Sequence, residues 1–282
     1  MLSYRHAYHA GNSADVLKHW VIERILTYLA QKDKPCFYLD THAGAGRYAL
    51  TGDLANKTAE YRRGIERLRG AVAVPEVLSN YLTVVEQSLN GEQGHVYPGS
   101  PWLASKLLRA HDRLALCELH PQDYPVLANL FANDARVQTF NEDGFKKSIA
   151  LLPPKERRGL IVVDPSYEIK ADYAGVVKHI QRLHKRFATG IYAVWYPVVD
   201  ASRVANMMAA FQRAGLKNTL RFELQTSDSS GGGMYASGMV VVNPPWTLCQ
   251  DVQAGLPWLA KRLALDSSAG FSIETLVPES SV

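Results

Sequence analysis

Short apolar runs alternate with stretches of helical spacing along most of this chain. The runs lie at residues 36–40 (CFYLD), 113–119 (RLALCEL), 136–145 (RVQTFNEDGF), 159–167 (GLIVVDPSY), 190–198 (GIYAVWYPV), 219–225 (TLRFELQ) and 238–245 (GMVVVNPP). They read as strands closed by turn-forming residues. Helical spacing of apolar positions recurs at 16–29, 60–69, 75–89, 98–109, 124–131, 172–187 and 202–214. Strands alternating with helices predict a seven-stranded, mostly parallel α/β sheet. Only the flexible loop TSDSSGGG separates the last two strands, as expected for an antiparallel pair. The segment between the first two strands is too long for a plain crossover helix. Residues 48–97 are therefore read as a small helical insertion within a single domain spanning 1–282.

Composition narrows the class. Of the 282 residues, 47% are hydrophobic and 21% charged, so a packed core is expected and disorder is not. The first twenty residues contain no apolar signal region. No apolar run approaches the ~20 residues that span a bilayer. Cys36, Cys117 and Cys249 are widely spaced and odd in number, which suits neither a metal site nor a disulfide framework. A reduced, cytoplasmic protein without a membrane partner is expected, and no sustained heptad pattern argues against a monomer. The net charge of +4 permits a polyanionic partner without demanding one. Its distribution says more. Lys57, Arg62, Arg63, Arg67 and Arg69 form one cluster, Lys155, Arg157 and Arg158 another, and Arg182, Lys185 and Arg186 a third. Any one of these suits a solvated face. Together they suit a nucleic-acid surface, and replacing Arg62, Arg63 and Arg67 is then expected to weaken RNA binding.

The strand ends carry the candidate chemistry. Ligands of open α/β sheets bind beyond the carboxyl ends of the strands, where the strand order reverses. The first strand runs into DTHAGAGRY, with Asp40, Gly44 and Gly46. Small residues let backbone approach a ligand there, although a tight turn would use the same glycines. Tyr48 and Ala49 break the dinucleotide G-x-G-x-x-G pattern. Glu118 ends the second strand, where an acid can accept hydrogen bonds from a ribose diol. Asp143, after the third, can accept from an adenine amino group, and Gly144 leaves room for the ring. Three such signals in this order favour S-adenosylmethionine over NAD or a ligand-free fold, and hence a Rossmann-like methyltransferase sheet.

Two apolar runs end alike, in Asp164-Pro165-Ser166-Tyr167 and Asn243-Pro244-Pro245-Trp246. Both resemble the [D/N]-P-P-[Y/F/W] tetrapeptide of enzymes that methylate amino groups of bases. The second fits letter for letter. Strand order nevertheless favours the first, because the fourth strand should lie beside the first in the sheet centre. Asn243 is expected near a sheet edge, its NPPW ending a strand with a packing tryptophan. The exocyclic nitrogen of adenine is a poor nucleophile because its lone pair is delocalised into the ring. Asp164 and the carbonyl of Pro165 can accept its two N–H groups and localise that pair. A carboxylate is too weak a base to remove the proton beforehand. Tyr167 offers a face for an extruded base. Ser166 keeps a small side chain but loses the fixed φ of proline, so a looser loop is expected. The chemistry requires no metal.

MLSYRHAYHAGNSADVLKH, YLDTHAGAGRY, YPGSPW, CELHPQDY, DGF, RRGLIVVDPSYE, RFATGIYAVWYPV and ASGMVVVNPPW together resemble the RlmJ family. Its members are 23S (large-subunit) ribosomal RNA (adenine-2030-N6)-methyltransferases, and the family's DPPY stands here as DPSY. The resemblance implies that His19, His42, Ser100, Glu118, Asp143, Gly144 and Asp164 line the S-adenosylmethionine site, with Asp164 as proton acceptor. It also implies that Tyr4 contacts substrate RNA, with His6 and Lys18 nearby. The N-terminal block, with Tyr4, Arg5, His6, Tyr8, His9, Lys18 and His19, mixes stacking faces with donors, as RNA recognition needs. Read one by one, its histidines also suit a helix start. Ser100 suits a helix cap as well as a cofactor contact, His42 suits a loop anchor, and Trp195 and Tyr196 suit either a base pocket or a buried strand. The substrate expected is 23S rRNA, deproteinised or in an early assembly intermediate. A DNA adenine-N6 methyltransferase and a non-catalytic nucleic-acid-binding protein are the rival functions.

Overall fold

The computed structural model describes residues 4–91, 94–168 and 171–279. Its strands are β1 (Phe37–Asp40), β2 (Arg47–Ala49), β3 (Val96–Pro98), β4 (Arg113–Cys117), β5 (Val137–Phe140), β6 (Gly159–Val163), β7 (Ile191–Val198), β8 (Thr219–Gln225), β9 (Ala236–Val242) and β10 (Gly270–Val277). Its helices are α1 (Ser13–Ala30), α2 (Asp53–Thr58), α3 (Glu76–Leu89), α4 (Ser100–Leu107), α5 (Asp123–Leu130), α6 (Gly144–Leu151), α7 (Asp172–Arg186), α8 (Ala201–Ala214) and α9 (Leu248–Leu263).

The main sheet has the order β10-β8-β9-β7-β6-β1-β4-β5. It therefore has eight strands, not the seven expected. The additional strand, β10, pairs antiparallel with β8 at the edge. Most of its residues are only partly buried, so no clear apolar run announces it. The strands β5, β4, β1, β6 and β7 are parallel. β9 is antiparallel to both β7 and β8 and lies between them, so the strand before Asn243 is not near an edge.

β1 is buried on both faces, as parallel strands covered by helices must be. Its side chains alternate between two cores. Tyr38 packs with Trp20, Leu26 and Leu103 on one side. Phe37 and Leu39 pack with Val176, Ile180 and Phe211 on the other. The Asn12 side chain caps α1, accepting from Asp15 N at 2.9 Å, a contact worth about 1 kcal/mol. α1 is buried almost throughout, including Asp15, Lys18, His19 and Glu23. Buried polar groups require partners: Lys18 reaches Asp164 just beyond β6, His19 meets Tyr97 OH in β3, and Glu23 accepts from Thr27 and Asn80.

β2 pairs with β3, and the chain between them forms α2, two 3₁₀ turns and α3. The helix expected over 60–69 is broken into turns at Glu60–Arg63 and Ile65–Arg67. Gly64 separates them because a Cβ there would lie 2.0 Å from the Gly11 carbonyl. Among the described residues, no helix is long and apolar enough to cross a membrane. Cys36, Cys117 and Cys249 are free thiols, and burial pushes those of Cys36 and Cys117 up to about 12.

Candidate active site

The parallel strands bring the ends of β1, β4, β5 and β6 to one edge of the sheet. Asp40 is fully buried there, accepting from Tyr38 OH at 2.9 Å, Ser100 Oγ at 2.7 Å and His42 N at 3.2 Å. Burial raises its pKa above the usual range, against the pull of those three bonds. The next turn needs Gly44 at φ 60° and Gly46 at φ 78°, a region costly for residues with a Cβ. The Gly44 amide donates to Glu118 Oε2 at 2.7 Å, and His120 N donates to Oε1 at 2.6 Å. Burial raises the pKa of Glu118 despite these bonds.

Two expectations are corrected here. Ser100 is the first residue of α4 and makes no capping bond; its hydroxyl is committed to Asp40. Gly144 is small because a Cβ would lie 1.9 Å from the Thr41 carbonyl, so the space it leaves is filled by backbone, not by a ring. Asp143 caps α6, accepting from Phe145 N and Lys146 N. His42 lies 2.8 Å from Thr41 Oγ1 and edge-on to Phe145 at 5.0 Å.

α1 supplies the remaining wall. Lys18 Nζ stands 2.5 Å from Asp164 Oδ2 and 3.0 Å from Asp15 Oδ1. His6 Nε2 lies 2.8 Å from Asp15 Oδ2, and Tyr4 OH 3.0 Å from His6 Nδ1. Burial works against the Lys18 charge, but Asp15 and Asp164 outweigh it and raise its pKa well above normal. Burial likewise opposes the charge of Asp15, yet His6, Lys18 and His19 hold its pKa well below normal. For His19 and His42 burial outweighs the nearby carboxylates, Asp15 for the first and Asp164 and Asp143 for the second. Burial lowers them to about 3 and about 4, so both rings are expected to stay neutral down to about pH 5. Imidazole NMR resonances of His19→Gln and His42→Gln, compared with the native chain, would assign the two rings. A titration midpoint above about 6 for either would contradict this.

Two adjoining chambers open from these residues. The first, of about 290 Å³, is lined by His19, His42, Ser100, Glu118, Asp143, Gly144, Asp164 and Pro165, together with Thr41 and Phe145. The second, of about 520 Å³, is lined by Tyr167, Tyr173, Trp195, Arg63 and Arg203. Tyr4, His6, Lys18, Asp164 and Ser166 belong to both and form the wall between them. Tyr167, at φ 54°, donates to Trp195 O at 2.6 Å and packs 4.7 Å from the Tyr173 ring, so most of its surface is covered. The indole N–H of Trp195 is buried without a hydrogen-bond partner. Asp15, Phe145, Tyr173 and Arg203 escaped the sequence reading. Only Asp15 had a usable signal, an acid within the dense N-terminal block.

Asn243 lies at the amino-terminal ends of the parallel strands, opposite Asp164, because β9 runs antiparallel to β7. Its amide donates to Ala188 O and Gly190 O at 2.8 and 2.9 Å, which ends the strand. Trp246 is 75% exposed, so it is not the packing residue expected.

The first chamber offers carboxylate acceptors at Glu118 and Asp143 with Phe145 among its other walls. Those acceptors and that ring fit the hydroxyls, amino group and ring of an adenosyl group. No cluster of His, Cys, Asp or Glu among the described residues suits a metal ion. The strand order is that of a Rossmann-like methyltransferase sheet. Residues 33–277 match the family model "Ribosomal RNA large subunit methyltransferase D, RlmJ". The chain is 48% identical over 280 residues to the Ribosomal RNA large subunit methyltransferase J of Escherichia coli, covering 99% of this chain and 100% of that protein. It is 47% identical over 281 residues to the Haemophilus influenzae protein of the same name, with the same coverage. A crystal structure from Legionella pneumophila superposes with a TM-score of 0.88 at 38% identity, over 95% of this chain and 98% of that one. The chain belongs to the RlmJ family of large-subunit ribosomal RNA methyltransferases.

Proposed function

We infer that this protein transfers the methyl group of S-adenosylmethionine to N6 of one adenine in 23S rRNA, the position-2030 adenine of the family. The observation carrying this reading is the place of Asp164 and Ser166 on the wall between two chambers, with Pro165 lining the first. The first chamber takes the cofactor and the second the extruded base. When bound, S-adenosylmethionine supplies an electrophilic methyl group on a sulfonium.

The protein supplies position and acceptors. Glu118 and Asp143 hold the ribose and adenine of the cofactor, and His19, His42, Ser100 and Gly144 shape its chamber. Asp164 and the Pro165 carbonyl accept the target N6–H groups and orient the nitrogen lone pair. A carboxylate has about four acceptor directions, so the bond from Lys18 leaves capacity for this. Asp164 takes the proton during or after transfer. Tyr167 edges the base chamber, and Tyr4 and His6 close it from the N-terminal side. Holding two reactants in line is itself worth several orders of magnitude in rate.

Residues 48–97 act as an insertion of one methyltransferase domain. The enzyme works as a cytoplasmic monomer on deproteinised rRNA or an early assembly intermediate. Methyl transfer from labelled cofactor to a deproteinised 23S fragment and to duplex DNA tests the substrate. N6-methyladenine in the RNA at the target adenine is expected. Better turnover on DNA would overturn the reading, and no cofactor binding by calorimetry would favour a non-catalytic protein.

A further inference from the structure

We propose that Arg63 and Arg203 clamp the two RNA phosphates that flank the base in the second chamber. This rests on the assignment of that chamber to an extruded nucleotide. Such a nucleotide enters base first while its 5′ and 3′ phosphates remain tethered at the mouth. The mouth must therefore carry cations.

Arg63 and Arg203 line the chamber from separate elements. Arg63 ends the 3₁₀ turn Glu60–Arg63, and Arg203 lies in the first turn of α8. Their neighbours in sequence are engaged elsewhere. Arg67 Nη1 donates to Ala264 O at 2.5 Å. Arg69 is held by Asn90 at 3.2 Å and Glu86 at 3.6 Å. Arg67 thus fastens the insertion to the body of the protein, whereas Arg69 binds within the insertion. The acids nearest the two arginines are also engaged by other groups, although Glu60 feels the Arg63 charge as well. Glu60 accepts from Asn12 Nδ2 at 2.9 Å and lies 2.8 Å from His9 Nδ1. Asp200 accepts from Ser202 N at 2.9 Å and Ser202 Oγ at 2.6 Å. Arg203 also pairs with Asp200, at 3.2 Å, with side chains 35% and 38% exposed. A pair that open is weak, so a phosphate can draw the guanidinium away. Arginine suits this task because its planar fork binds phosphate oxygens in pairs.

The test is fluorescence anisotropy with a labelled, deproteinised 23S fragment over a range of salt. The proteins are the native chain, Arg63→Gln, Arg203→Gln, the double variant, and Arg213→Gln as an exposed control on α8. Each chamber substitution is expected to raise Kd about 3- to 10-fold and to reduce the salt slope by about 0.7, one single-strand phosphate contact. In methyl transfer, KM should rise while kcat changes less than about twofold. Lysine at either position should restore most of the slope. An unchanged Kd and slope in the double variant, or an equal effect from Arg213→Gln, would overturn the clamp. So would loss of kcat with KM unchanged. If the expected binding pattern appears but the native chain transfers no methyl group, the clamp stands and the enzymatic reading fails.

Discussion

Replacing Asp164 by asparagine is expected to lower kcat for methyl transfer about 10²- to 10⁴-fold, the usual contribution of a positioned proton acceptor. Asparagine keeps the shape and one acceptor oxygen. That oxygen will face the Lys18 ammonium, which stands 2.5 Å from the carboxylate in the native chain. The amide N–H₂ then turns toward the target amine, donor against donor. Lys18 retains Asp15 at 3.0 Å, so the helix should stay in place. Cofactor affinity, read by calorimetry, should change far less than the rate. Asn243→Ala is the matched control at the opposite strand ends, where its side-chain amide donates to Ala188 and Gly190. Single-turnover transfer from labelled cofactor separates the two. Undiminished transfer by Asp164→Asn would remove this residue from the chemistry, and loss confined to Asn243→Ala would move the chemistry to the other tetrapeptide.

Asp15→Ala is expected to cost about 3–5 kcal/mol of stability, the range for breaking one side of a buried ion pair. Asp15 is 1% exposed and joins Lys18, His6 and the Gly11 amide, the last at 2.9 Å. Urea unfolding at neutral pH measures the loss. Its pH dependence has a definite sign. The folded pKa of Asp15 lies below its unfolded value. Its contribution is therefore complete above about pH 4 and is lost as the pH falls through the lower folded value. The gap between native and variant should close in acid. His19 adds to acid sensitivity by another route. Its ring is held neutral, at about 3, so stability falls as the pH drops below about 6.5, where the unfolded chain begins to take up that proton. A native–variant gap that is small at neutral pH or widens in acid would contradict the role of Asp15.

The strand ends were legible because each is an apolar run stopped by a polar residue. Asp40, Glu118, Asp143 and Asp164 could be placed from that punctuation alone, and the structure puts all four near one edge. Long-range pairing is not written locally. β9 reads as a final strand, yet it inserts between β7 and β8 and runs the other way. That direction, rather than an edge position, removes Asn243 from the site. β10 is half in solvent and lacks a full apolar face. α9 carries Pro257 inside a helical pattern, a signal that ordinarily marks a break. Gly144 was recognised as a small residue, but its reason, the Thr41 carbonyl, belongs to a segment far away in sequence. Arg203 carries no local signal; it reaches the second chamber only because α8 packs on α7 and β10.

If the two chambers take cofactor and base as proposed, their shared wall makes the two ligands thermodynamic partners. Tyr4, His6, Lys18, Asp164 and Ser166 face both, so a ligand that rearranges this wall alters the affinity of the other. Linkage requires the effect to be reciprocal: if cofactor tightens RNA binding by some factor, RNA tightens cofactor binding by the same one. The Lys18–Asp164 contact is the natural place for that exchange. The contact joins α1 to the end of β6, and an amine at Asp164 would have to share the carboxylate with the ammonium. Cooperativity between the substrates would thus be set by one carboxylate and the lysine it already holds.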